Sequence, residues 1–326
     1  MKDRAKGMLR KAICRCALSA TLFGWACGCG HKRQLTVMVV TPTGGLEYWE
    51  NFDHAVKTTA AANDIQVELA APQSETDYTE QAQMVEEAIS RRVQGIIVSP
   101  AHQLVLASSL EQAEQAHIPV VVVGPPVVLS TKNFAAFVDW DEAEAGRLAA
   151  RRLVALLGGK GNVGMIGVSP TMERSSLIEK AFAEEIARTP GVKLVSVKYG
   201  LSDWARGRQA ALDLLAEFPD IKGIFTTDEF STHAAAYAFH RRAGKRPLLI
   251  GVSEEVNELE ELQAEHIDAL VISNPMELGA RAMEAMRVAL EGGNASAYSS
   301  HLPVYIVAKG SMAENPIVGM LMKGAS

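Results

Sequence analysis

Residues 35–41, LTVMVVT, form a run of apolar and β-branched side chains closed by Pro42 and by Gly44-Gly45. A continuous apolar run of this length between turn formers is the pattern of a strand buried on both faces, as in a parallel sheet. Residues 48–62 then read as a helix, and the strand-then-helix unit recurs outward from there. Residues 66–70 are a short strand, and 79–91 a helix with Ala82, Val85 and Ile89 at helical spacing. Residues 95–99, GIIVS, are a strand and 104–117 a helix. Residues 120–123 are a strand closed by Gly124-Pro125-Pro126.

The alternation continues to the far end. Helices are expected over 142–157, 175–188, 205–217, 232–242, 256–264 and 276–291. Strands are expected over 163–168, 193–199, 223–226, 248–252, 269–273 and 302–307. The tail after Lys309 is weakly patterned. Regular alternation of this kind builds right-handed βαβ units around parallel sheets. The strands are too many for one comfortable sheet. The expected fold is therefore α/β, with two similar Rossmann-like lobes joined by a hinge of several crossovers. The lobes are expected at 35–140 with 274–303, and at 141–273 with 304–326. The crossings fall near Trp140-Asp141, Ser273-Asn274 and Pro303-Val304.

Composition agrees with this organisation. The chain has 326 residues, 48% apolar and 21% charged, enough to bury two ordinary cores. The formal charge of -6 is unevenly spread. Six basic residues and one acid precede Cys27, leaving 26 basic and 37 acidic residues, a net of -11, for the rest. A body this acidic is ill suited to the phosphate backbone, so no nucleic-acid partner is expected.

The basic residues 1–15 precede a mostly apolar run, 16–26, too short to span a membrane comfortably. A charged front, a short apolar middle and small residues near the end describe a secretory signal over 1–26. Its end, Gly24-Trp25-Ala26-Cys27-Gly28-Cys29, resembles a bacterial lipobox. Cys27 is the expected lipidation site and first residue of the mature chain, with Cys29 as competing acceptor. All four cysteines fall in this segment. The body therefore has no disulfide framework, thiolate metal site or cysteine nucleophile.

Enzyme signatures fail on context. Residues 159–164 spell G-x-G-x-x-G, but the motif follows a helix and leads into a strand, the reverse of a dinucleotide fingerprint. A glycine helix stop and a turn explain it. The eight histidines show no metal-ligand spacing. Asp228 and Glu229 are adjacent on a helix and point apart, and Asp228 suits a helix cap. No catalytic residue, metal or cofactor is expected.

Strand-end loops carry ligand-binding chemistry instead. Ligands of open α/β sheets bind beyond the carboxyl ends of the strands. Tyr48 and Trp49 follow the first strand, and Trp204 follows a strand in the second half. Aromatic faces on opposite sides of a cleft can stack on the C–H faces of a sugar ring, while polar groups fix its orientation.

Across about residues 35–309 the chain resembles the ribose-type, or type I, periplasmic solute-binding proteins that serve ABC importers. The resemblance rests on TVMVVTPTGGLEYWENF, VQGIIVSP, IPVVVVGPP, DEAEAGRLAARRL, DWARGRQAALDLLAEFPDIKGIFTTDE, LLIGVSEE and ISNPMELGARAM, in that order and spacing. The lactose-repressor family shares the fold, but would carry a DNA-reading helix-turn-helix where this chain has its export signal. The resemblance implies a solute bound between lobes that close on a hinge, in a monomer that works with an ABC permease at the envelope. It also implies a ligand set of Tyr48, Trp49, Trp204, Thr227 with Asp228, Ser273 with Asn274, and Arg174 or Ser176. Three charged or amide positions of the family are replaced: by Gly124-Pro125, by Ser253, and around Leu46. Those replacements argue against ribose itself. The function expected is capture of a sugar-like solute for import; a receptor subunit feeding a membrane sensor is the alternative.

Overall fold

Twelve strands and ten α-helices alternate through the residues that the computed structural model describes, 34–124, 134–241 and 244–324. The expected signal, Cys27 and the Pro125-Pro126 turn lie outside them. The first lobe takes β1 (Leu35–Val40), α1 (Glu47–Ala61), β2 (Ile65–Ala70), α2 (Tyr78–Ser90), β3 (Gly95–Val98), α3 (Gln103–Gln115), β4 (Val120–Val123) and β5 (Ala136–Trp140). The chain then crosses to α4 (Glu142–Leu157), β6 (Gly161–Gly167), α5 (Glu173–Ala187), β7 (Val192–Tyr199), α6 (Trp204–Glu217), β8 (Ile221–Thr226), α7 (Glu229–His240), β9 (Leu248–Val252), α8 (Val256–Gln263) and β10 (Ala269–Ile272). Helix α9 (Pro275–Leu290) returns to pack on α1, and β11 (Ser300–Leu302), β12 (Tyr305–Val307) and α10 (Pro316–Gly324) complete the chain.

The sheets have parallel topologies. One runs β11-β5-β4-β3-β1-β2 and the other β12-β10-β9-β8-β6-β7. Strands β3 and β4 are buried at every position, as strands covered by helices on both faces must be. β12 departs from the all-parallel expectation, since it pairs antiparallel with β10.

Three expectations need correction. Residues 302–307 are not one strand: Pro303 lies between β11, paired with β5, and β12, paired with β10 in the other sheet. Proline has no N–H for a ladder, so pairing stops there and the chain changes sheets. β5 was not anticipated, because Asp139 interrupts its short apolar run. The weakly patterned tail forms a 3-10 turn and α10, whose Ile317, Val318 and Leu321 are buried in the second lobe.

Local capping follows the sequence. Asp141, Asp203, Asp228 and Asn274 each accept a hydrogen bond from a backbone N–H in the first turn of α4, α6, α7 and α9. The glycine motif is the stop and turn expected: Gly158 ends α4 at φ +63° and Gly161 opens β6.

The two tightest helix pairs, α9 on α1 and α4 on α5, are each built around a glycine at the fifth helical position. A methyl on Gly279 would meet the Phe52 carbonyl, and one on Gly146 the Ile178 carbonyl. Both obstacles are backbone and cannot swing aside. Gly146→Val and Gly279→Val should each lower stability by about 1–3 kcal/mol or more, the scale of overpacking a close-packed interior. Thermal or urea unfolding checks this, and an unchanged midpoint would contradict the packing described.

Candidate ligand-binding site

A cleft enclosing about 940 Å³ opens between the lobes, lined by strand-end loops from both. The first lobe contributes Tyr48, Trp49, Glu75, Ser99 and Trp140. The second contributes Arg174, Ser175, Thr227, Asp228, Glu229, Glu254 and Glu255.

Arg174 is placed by the first turn of α5. Its guanidinium carbon lies 5.9 Å from the Trp49 ring and 5.7 Å from the Trp140 ring. Its Nε is 3.5 Å from a Glu142 carboxylate oxygen. A cation between two indole faces is held by their quadrupoles as well as by its counter-ion. Gly124 makes the room: at φ +119° it would put any Cβ 3.1 Å from Arg174 Nη2.

Beneath Arg174, Asp139 and Glu142 are both buried and hydrogen-bonded to each other. Burial pushes the Asp139 carboxyl up to about 6 against the pull of Arg174. Burial, with Asp139 as a like-charged neighbour, holds Glu142 well above the usual carboxylate range. Burial and like charge thus favour a proton held within the pair, and Arg174 lies against its Glu142 side.

The opposite wall is acidic. Asp228 Oδ1 accepts from Ser231 N–H at 2.9 Å and caps α7. Its Oδ2 is buried without a hydrogen-bond partner. Burial raises this carboxyl to about 6. Glu229 is raised well above its ordinary value by burial, then by Glu75 and Asp228. Glu254 is buried and accepts from Ser273 N–H at 2.6 Å and from Ser273 Oγ–H at 2.7 Å.

The lobes meet through a reciprocal pair of helix caps. Neither α1 nor α8 has a side-chain cap from its own N-cap residue. Glu255 accepts from the N–H groups of Glu47 and Tyr48 at 3.1 and 3.0 Å, at the start of α1. Glu47 accepts from Val256 N–H at 2.7 Å, at the start of α8. Each carboxylate thus meets the positive end of the other lobe's helix. Ser202 Oγ–H donates to Glu75 at 2.8 Å as a further crossing.

Tyr48, Trp49, Arg174, Thr227 and Asp228, all expected at the site, line the cleft together. Trp204, Ser253, Ser273 and Asn274 do not. Trp204 is 38% exposed and lies edge-on to Tyr237, with ring centroids 5.3 Å apart. It follows β7, an edge strand, so its loop lies at the margin of the sheet. Ser253 accepts from Glu255 N–H and donates to Glu258, both at 3.2 Å. Ser273 holds Glu254, and Asn274 caps α9. A second indole against Arg174 is Trp140, which sequence reasoning missed. Its signal was available: it ends AFVDW, immediately before the capping aspartate of α4.

The profile of the periplasmic binding protein domain matches residues 37–294, and this chain belongs to that family, in its ribose-type, type I form. It is 22% identical over 281 residues to the ribose import binding protein of Bacillus subtilis, covering 85% of this chain and 88% of that one. It is 23% identical over 283 residues to the D-allose-binding periplasmic protein of Escherichia coli, covering 84% and 91%. Among solved structures, a carbohydrate transporter solute-binding protein of Agrobacterium radiobacter, in complex with D-arabinose, superposes with a TM-score of 0.83. That likeness has 21% identity and covers 89% of this chain and 99% of the other; it establishes the fold.

The raised carboxyls fix a pH dependence. Asp139 and Asp228 at about 6, and Glu255 at about 7, keep protons in the folded state that the unfolded chain has already lost. Stability must then fall as pH rises from about 4 to 7. His233, raised by its 2.8 Å hydrogen bond to Glu258, acts in the same sense, since its stabilisation is lost as pH rises through its folded pKa. The ligand-free protein should melt at a higher temperature at pH 5 than at pH 7.5, with the gap reduced in Asp228→Asn. A melting temperature that is flat or rises over this range would contradict the assignment.

Proposed function

We propose that this chain is an extracytoplasmic solute-binding lipoprotein that captures a sugar or sugar-like ligand between its lobes and delivers it to an ABC importer. The observation that carries this reading is the cleft itself: two indoles, one guanidinium and several carboxylates converge on it from both lobes. A pyranose presents apolar C–H faces and a rim of hydroxyls. Indole faces match the former, and ionised hydrogen-bonding groups the latter. The names of the relatives, ribose import and D-allose binding, support the same class.

In this reading Tyr48, Trp49, Trp140, Arg174, Thr227 and Asp228 contact the ligand. Residues 35–140 with 274–303 move as one body and 141–273 with 304–326 as the other, hinged at the three crossings. The protein acts as a monomer, performs no chemistry on its ligand and needs no cofactor. Lipid on Cys27 tethers it at the envelope beside its permease. N-terminal mass spectrometry of the membrane fraction should find a mature chain that begins at a lipidated Cys27; an intact Met1 would count against the tether.

Ligand binding is tested by a thermal-shift screen of monosaccharides and polyols. A cognate ligand binds the folded state alone, so it should raise the melting temperature with concentration. Trp49→Ala should weaken binding about tenfold or more, through lost stacking and lost apolar contact. Unchanged affinity in a folded Trp49→Ala/Trp140→Ala protein would remove the aromatic part of the site.

A further inference from the structure

We propose that the ligand carries an ammonium group, and that the carboxylates around Asp228 select it over neutral sugars. The inference rests on the sugar-binding reading and narrows its substrate class. Six carboxylate side chains line the cleft, and Arg174 is the one cationic side chain among the described residues that line it. That cation is already engaged, by Glu142 and Asp139 below and by indoles on two sides. Glu75 lies close enough to raise Asp228 and Glu229, Asp228 and Glu255 close enough to raise Glu229, and the cleft lining supplies no second cation to offset them.

A neutral hydroxyl could donate to such a wall but would leave its charge in place. An ammonium group donates and neutralises at once, and the charge-assisted bond is the stronger. The atom it would meet is on the page. Asp228 Oδ2 belongs to a side chain 5% exposed, borders the cleft and has no hydrogen-bond partner within the protein. A buried acceptor left open is costly, and a bound donor there removes the cost. The other oxygen of the same carboxylate is fixed by the α7 cap, which limits how far the group can turn. The acidic body would also draw a cationic solute toward the cleft.

The test is calorimetric titration of the purified chain with D-glucosamine, D-galactosamine and D-mannosamine. Each is compared with its parent hexose and with its N-acetyl derivative, which keeps the ring and loses the charge. At least one amino sugar should bind tenfold or more tighter than both of its neutral counterparts. In Asp228→Asn that ratio should shrink several-fold, while the melting temperature shows the protein is folded. Equal or tighter binding of the neutral hexoses would overturn this proposal and leave sugar capture standing. Binding of none of the nine sugars would overturn both.

Discussion

A guanidinium held between two indoles and above a buried acid pair is the interaction on which the rest of the site depends. Arg174 belongs to the second lobe, Trp49 to the first, and Trp140 and Glu142 to the crossing between them. A cation removed from water is tolerated where counter-charge and aromatic faces are already in place. Burial and mutual repulsion hold back full ionisation of the Asp139–Glu142 pair, while Arg174 pulls both carboxyls down. Gly124 suits the arrangement, since its φ of +119° favours glycine and a Cβ there would crowd the guanidinium at 3.1 Å.

Around that centre, contact between the lobes is made with groups that each lobe would otherwise leave unsatisfied. Helices α1 and α8 begin without side-chain caps of their own, and each takes a glutamate from across the cleft. Their first-turn N–H groups would face water if the lobes parted, so separation exchanges protein hydrogen bonds for solvent ones at modest net cost. Apolar contact also runs through both lobes, by way of Trp49, Trp140, Ile178 and Val252. A joint of this kind suits opening and closing. The connections cross the boundary at three places.

Polar residues that the family resemblance assigned to the ligand divide according to strand position. Thr227 and Asp228 follow β8, in the interior of its sheet, and reach the cleft. Trp204 follows β7 at the edge and turns to Tyr237. Ser253 bonds Glu255 N–H and Glu258 in its own turn, Ser273 reaches Glu254 beyond the neighbouring strand, and Asn274 caps α9. Ser253 and Ser273 thus hold the turn that carries Glu254 and Glu255, and those two glutamates line the cleft.

By itself the sequence determined the alternating α/β order, two mostly parallel sheets, strand-end loops that line a cleft and the Asp228 helix cap. These follow from local periodicity, from turn formers and from side chains that bond to their own first turn. It placed Tyr48, Trp49, Arg174, Thr227 and Asp228 in loops that do converge. Tertiary structure alone decided that Trp140 joins Trp49 beside Arg174 while Trp204 lies outside the cleft, that Glu47 and Glu255 cap each other's helices from 208 residues apart, and that six carboxylates share a cleft with one cation. Those are long-range facts. They depend on which strand lies inside its sheet and which at the edge, and on how the lobes face each other, and no local pattern of residues encodes either.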